Sequence, residues 1–214
     1  IFEKKFGVKV KYIYNPFNKN FVLKKIKIKK KINFFEKGYL NIISVGRLTD
    51  QKDHLTLLRS IKELDSNFKV KVIIIGKGST KDILKRYIIK NNLQNKIKLF
   101  GYTNNPFPFI QKANIVVLTS KFEGLPNILL EAQFLRKYII STNCPTGPKE
   151  ILLNAKAGDL INIGDFKKLS HLIKNYSNNK NSIIKKINTG YKKFYRFDYM
   201  LNCKKYLNFI KNNY

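Results

Sequence analysis

A chain of 214 residues, 43% of them hydrophobic, is long enough for one domain with its own core plus a terminal extension and too short for an array of domains. Its 43 Lys and Arg against 13 Asp and Glu leave a net charge of +30, which points to an anionic partner or to a biased coding sequence. Apolar runs as short as Val72-Ile73-Ile74-Ile75 exclude a spanning helix of ~20 residues, and Cys144 and Cys203 stand at no spacing that makes a disulfide framework or a zinc cluster.

Lys, Ile and Asn are abundant even in turns and tails, and Trp is absent. That pattern favours AT-rich coding bias over dedicated nucleic-acid binding, although a cationic surface still suits contact with an anionic membrane face. The chain opens at Ile1 and holds a single Met, Met200, so residue 1 is expected to be an internal position of a longer protein. The cysteine usage fits a reducing, cytoplasmic setting.

Residues 1–37 read as an extended segment and a basic connector, with a turn at Asn15-Pro16 and a solvated charge run over Lys24–Lys31. From Tyr39 onward, apolar runs alternate with helical periodicity. Strands are expected over Leu40–Val45, Val70–Ile75, Ile97–Phe100, Ile115–Leu118, Tyr138–Ser141 and Leu160–Ile163. Helices are expected over Leu55–Leu64, Ile83–Leu93, Phe109–Ala113, Pro126–Leu135 and Asp165–Tyr176, and a basic, aromatic-rich helical tail over Ile183–Tyr214. Alternating strands and helices predict an α/β fold, a Rossmann-like parallel sheet flanked by helices with a C-terminal helical tail. The division is 1–38 as a lead-in segment and linker, 39–180 as the Rossmann-like domain, and 181–214 as the tail.

Ligands of such sheets lie at the carboxyl ends of the strands, so the loops there hold the candidates. After the first strand, Gly46 permits close backbone approach, and Arg47 and Lys52 bring two cations suited to phosphate oxygens. In so basic a chain those cations alone carry little weight. After the second, Gly76-Lys77-Gly78-Ser79 lacks the third glycine of a dinucleotide fingerprint and reads as a tight turn. After the fourth come Glu123, Gly124, Leu125, Pro126 and Asn127, with Pro126 at a helix start whose free N–H groups favour an anion. Glu131 follows one turn on, either as a ligand for sugar hydroxyls or as a first-turn acid stabilised by the helix dipole. Cys144 has no histidine suitably related to it, since His54 and His171 both fall in helices. The absence of an Asp-x-Asp element and of clustered His and Cys predicts no metal site.

These elements resemble the retaining glycosyltransferases of family 4, the glycosyl transferases group 1, which have the two-domain GT-B architecture. The resemblance runs from about Tyr12 to Tyr206. It is carried by Val45-Gly46-Arg47-Leu48 with Gln51-Lys52, by Gly101-Tyr102, and by Phe122-Glu123-Gly124-Leu125-Pro126-Asn127 running to Glu131-Ala132. The last is the family's pair of glutamates with seven residues between them. The loop Asn143 to Ile151 also resembles one common in polysaccharide-building members.

The resemblance implies the C-terminal, donor-binding half of a GT-B enzyme, inactive by itself, with a hexose transferred from a nucleotide diphosphate sugar, a UDP-sugar, in surface polysaccharide synthesis. Arg47 and Lys52 would hold the diphosphate, Glu123 the hexose, and Glu131 the ribose. The backbone of Gly124 to Asn127 would complete the site, and Gly46 and Tyr102 would lie by the phosphate and base. No cofactor or metal is implied. The partners are the nucleotide-sugar donor and a glycan or lipid-linked acceptor held by a preceding domain, at the cytoplasmic membrane face, with no nucleic acid. Phe194, Tyr195, Phe197 and Tyr199 of the tail, which would pack on that preceding domain, are expected to be exposed or poorly ordered. The alternatives are a basic nucleic-acid-binding module and a catalytically silent remnant.

Overall fold

The computed structural model describes residue 7 and residues 13–28 and 32–212. The extended opening up to Tyr12, the end of the basic run at 29–31 and the last two residues lie outside that range.

Six strands form one wholly parallel sheet: β1 (Leu40–Val45), β2 (Val70–Ile75), β3 (Ile97–Gly101), β4 (Ile115–Leu118), β5 (Tyr138–Thr142) and β6 (Asp159–Ile161). Their spatial order is β3-β2-β1-β4-β5-β6, the doubly wound arrangement in which the chain reverses direction across the sheet between β1 and β4. The strands are apolar almost without interruption because helices cover both faces, and β4 and β5 are buried throughout.

Alternate residues supply two cores, as the two-residue period of a strand requires. Ile43, Ile73, Val116 and Ile139 point into one, and Ile42, Val72, Val117 and Ile140 into the other. The first core is closed by α1 (Lys19–Ile26), α4 (Phe107–Lys112), α5 (Asn127–Phe134) and α6 (Pro148–Ile151). The second is closed by α2 (His54–Lys62), α3 (Lys81–Lys90), α7 (Phe166–Lys174) and the start of α8 (Lys180–Lys192). Asp53 and Asp165 cap α2 and α7 by accepting from the Thr56 and Lys168 amides. A 3-10 turn over Lys193–Phe197 then leads into α9 (Tyr199–Lys211).

Element bounds shift by one to three residues in places, and the sequence expectation departs further from the structure as follows. Part of the run read as a solvated connector is α1, anchored by buried Val22 and capped by Asn18, whose side chain accepts from the Phe21 amide at 2.9 Å. The stiff loop after β5 contains the short helix α6. The sixth strand lies at Asp159–Ile161, one residue earlier than its expected start and two short of its expected end.

The tail aromatics divide. Tyr195 and Tyr199 are exposed, but Phe194 and Phe197 are buried at 3% and 0% exposure. They form an aromatic cluster with Phe17, whose ring stands 5.0 Å from Phe194, while the Phe17 amide donates to the Phe197 carbonyl. The lead-in segment and the tail are thereby fixed to each other and to the sheet. Among the described residues no helix is long and apolar enough to cross a membrane.

Candidate active site

The reversal between β1 and β4 opens a crevice at their carboxyl ends, and the two flanking loops are tied together. The Lys121 amide donates to the Gln51 carbonyl at 2.8 Å, Gln51 Nε2 to the Phe122 carbonyl at 2.9 Å, and Thr119 Oγ1 to the Lys52 carbonyl at 3.0 Å. At the centre, Lys52 Nζ forms an ion pair with Glu123 Oε1, which also accepts from Ser120 Oγ at 2.6 Å. Both partners are nearly buried, with 15% and 8% of their side chains exposed. The Lys52 stem lies over Gly46, where a Cβ would stand 3.4 Å from Lys52 Cδ, so the glycine helps to place the cation.

Arg47 is exposed at the rim and reaches Gln51 Oε1 at 3.4 Å. Together with Gly46 and Tyr102 it lines a cavity of about 250 Å3, completed by Val45, Ile75, Gly76, Lys77 and Thr103. Lys77 Nζ sits 5.3 Å from the centre of the Tyr102 ring, a cation–π contact at the cavity mouth. Gly76 and Gly78 serve packing of loop on loop. A Cβ on either would overlap the carbonyl oxygen of Gly46 or of Leu48, which supports the tight-turn reading.

Helix α5 starts with Pro126 at its N-cap position and no side chain capping it, which leaves first-turn N–H groups available to a ligand. Glu131 is its fifth residue, beyond the first turn, so it is not a first-turn acid stabilised by the dipole. Burial pushes its carboxyl up to about 7, and its side chain has no hydrogen-bonding or ionic partner among the described residues. Gly124 and Leu125 line a second cavity of about 390 Å3. The loop after β5 closes on them: Thr146 Oγ1 donates to the Glu123 carbonyl, and Gly147 packs against the Gly124 carbonyl.

The structure thus brings Gly46, Arg47 and Tyr102 to one cavity, pairs Lys52 with Glu123, and sets Gly124 and Leu125 beside a second cavity. Glu131 borders neither cavity. Sequence reasoning missed Ser120 as the residue that aims Glu123 and Lys77 as the partner of Tyr102. A polar residue three before Glu123, just after a buried strand, was the available signal for Ser120.

Cys144 is buried, and its thiol is raised first by that burial and then by the nearby Glu123, which makes a poor nucleophile. His171 on α7 is hydrogen-bonded to Asn175, which follows the helix. Among the described residues no three His, Cys, Asp or Glu gather as metal ligands.

The sheet order, the crevice at the switch point and the uncapped helix start define a doubly wound domain of the Rossmann-like kind, built as one half of a GT-B fold. The fold of HepE from Anabaena, solved with UDP and with UDP-glucose, matches with a TM-score of 0.83 at 18% identity, over 94% of this chain and 57% of that one. The chain belongs to the glycosyl transferases group 1, whose family profile matches residues 25–193.

It is 45% identical over 125 residues to an uncharacterized glycosyltransferase of Methanocaldococcus jannaschii, which covers 55% of this chain and 31% of that protein. It is 33% identical over 122 residues to a Campylobacter jejuni enzyme, the N-acetylgalactosamine-N,N'-diacetylbacillosaminyl-diphospho-undecaprenol 4-alpha-N-acetylgalactosaminyltransferase, covering 57% of this chain and 33% of that enzyme. The chain spans about a third of the length of these curated relatives.

Proposed function

We propose that the chain is the donor-binding half of a retaining glycosyltransferase that moves a hexose-type sugar from a UDP-sugar to a glycan or lipid-linked acceptor in surface polysaccharide assembly. The observation that carries this is the buried Lys52–Glu123 pair, placed at the switch point where two tied loops meet. A cation and a carboxylate held together there match a donor with an anionic and a hydroxyl-bearing part. HepE with UDP-glucose and the Campylobacter enzyme acting on an undecaprenol-linked glycan support the donor and acceptor classes.

In this reading the diphosphate takes over Lys52 and adds the exposed Arg47 and the free amides at the start of α5. Glu123, released but still aimed by Ser120, accepts from hexose hydroxyls. As the sugar–phosphate bond breaks, Arg47 and Lys52 stabilise the charge gathering on the leaving diphosphate, an electrostatic role worth ~10²–10³ in turnover for a single group. Glu131 accepts from the ribose hydroxyls, and Tyr102 covers the base. The cationic surface suits work at an anionic membrane face.

Titration calorimetry of the chain with UDP, UDP-glucose and GDP tests the proposal. UDP binding should weaken about 10- to 100-fold in Arg47→Ala, the loss of one charge-assisted contact. A folded chain with no affinity for any of the three nucleotides would end the donor-binding reading.

A further inference from the structure

The 390 Å3 cavity shares Gly124 and Leu125 with the proposed donor site but adds side chains to which the donor reading gives no role. In a chain with 43 Lys and Arg, the described residues that line it include no cation at all; its one charged group is the carboxylate of Glu150. Its other polar walls are the Tyr14 hydroxyl, the Asn15 amide, Thr146 and the backbone of Gly124. A carboxylate without a neighbouring cation in the lining repels phosphate, whereas it accepts readily from neutral hydroxyl donors.

Glu150 is also held in place. Its Oε1 accepts from the Tyr14 hydroxyl. The Tyr14 ring packs edge-on against Phe197 at 4.7 Å. The Arg196 guanidinium lies 4.8 Å from the Phe197 ring and donates to the Glu150 and Ile151 carbonyls at 3.4 and 3.3 Å, which fixes the end of α6 that bears the carboxylate. Toward the crevice, Thr146 bonds to the Glu123 carbonyl and Gly147 lies against Gly124. The loop bearing Glu150 is therefore rigidly coupled to the loop bearing Glu123. Fixed, hydroxyl-matched side chains on a rigid wall are what recognition of a sugar ring requires, and the volume lies within the range of small-molecule sites.

We propose that this cavity is a subsite for a neutral sugar residue of the acceptor, with Glu150 as its specificity-determining residue and Tyr14 as the positioning residue that orients the carboxylate. The assignment to the acceptor rests on the donor reading above. The donor needs cations for its diphosphate, and the described residues lining this cavity offer none, yet it shares Gly124 and the Glu123 loop with the site where the hexose would react.

The test follows backbone amide shifts of Gly124, Thr146 and Gly147 by NMR on the UDP-saturated chain. The probes are methyl α-glucoside, methyl α-galactoside and methyl N-acetyl-α-galactosaminide at millimolar concentration, with inorganic phosphate as a separate arm. At least one glycoside should produce saturable shifts, and phosphate should produce none. Glu150→Gln, which keeps size and loses charge, should weaken the glycoside at least ~10-fold, and Tyr14→Phe should weaken it less. Both variants should leave UDP and UDP-glucose affinity unchanged.

No response to any glycoside, an undiminished response in Glu150→Gln, or a response to phosphate overturns the proposal. So does a loss of UDP-glucose affinity without loss of UDP affinity in Glu150→Gln, because the cavity would then hold the donor's own hexose. If wild type binds no UDP, the donor reading fails by itself, and the glycoside titration still reads the cavity.

Discussion

The burial of Glu131 should make the fold less stable wherever its carboxyl ionises. Burial raises its carboxyl from 4.5 to about 7. A group whose pKa is raised on folding contributes fully below its unfolded value and loses that contribution as pH climbs through the folded one. At about pH 8 the ionised, unpartnered carboxylate therefore costs about 3 kcal/mol. Urea melts should find Glu131→Gln more stable than wild type at about pH 8 and equal to it at about pH 4. If Glu131 is the ribose ligand proposed above, its ionised carboxylate is the stronger acceptor, so affinity for UDP-glucose, whose diphosphate does not titrate here, should rise up to ~10-fold between about pH 6 and 8. The rise should vanish in Glu131→Gln; if the variant keeps it, Glu131 is not the ribose ligand. Glu123 has a different signature because it is paired with Lys52. Glu123→Gln frees the lysine and, on the proposed reading, replaces the carboxylate facing the hexose with a weaker neutral acceptor. UDP should then bind equally well or several-fold better, and UDP-glucose should lose its advantage over UDP. Calorimetry reads both, and a loss of UDP affinity would show that the pair must stay closed for the phosphate to bind.

At the scale of elements, the site depends on loops that interlock through glycines. Gly147 has φ +86°, and a Cβ there would overlap the Gly124 carbonyl and stand 2.7 Å from Pro126 Cδ. Gly164 has a similar φ of +77° but nothing within 4 Å of its would-be Cβ. Gly164→Ala should cost only the backbone strain, ~1 kcal/mol. Gly147→Ala should cost more and also weaken UDP-glucose, because it displaces the loop that bears Glu123. Equal losses in thermal melts and unchanged binding would mean the loops do not constrain each other. Much of this architecture was legible in the sequence. The strands are bare apolar runs because both sheet faces are covered, and the positions of Arg47, Lys52 and Glu123 followed from where those runs stop. What escaped depended on distant neighbours. Helix α1 buries only Val22 and is otherwise mostly lysine and exposed apolar residues, so its period was hidden. The burial of Phe194 and Phe197 depends on Phe17, from the other end of the chain. The Lys52–Glu123 pairing needs two loops that only the sheet order brings together.

For the molecule as a whole, two buried groups make stability respond to pH in opposite directions. His54 opens α2 in a buried position with neither ring nitrogen bonded to any described residue. Burial first, and the charge of Lys52 second, depress it from 6.5 to about 4. A base depressed on folding contributes fully above its unfolded pKa, and the contribution fades as pH falls through the folded value, here by about 3 kcal/mol in all. Over much of the same interval Glu131 gains what His54 loses, so wild-type stability should vary little between about pH 6.5 and 4.5. His54→Leu removes an unsatisfied polar ring in favour of an apolar side chain, which leaves stability at neutral pH unchanged or improved. It should also unmask the Glu131 slope, so that this variant becomes steadily more stable as the solution is acidified. Urea melts across that range decide, and parallel profiles for variant and wild type would show that His54 is not held neutral. Adding Glu131→Gln should flatten the profile again, apart from the slope due to self-repulsion of a chain of net charge +30. That remaining slope is the one salt can screen, while those of the two buried groups are screened far less. Repeating the melts of the double variant in high salt should therefore abolish its pH dependence, and a slope that survives salt would reveal a third buried titrating group.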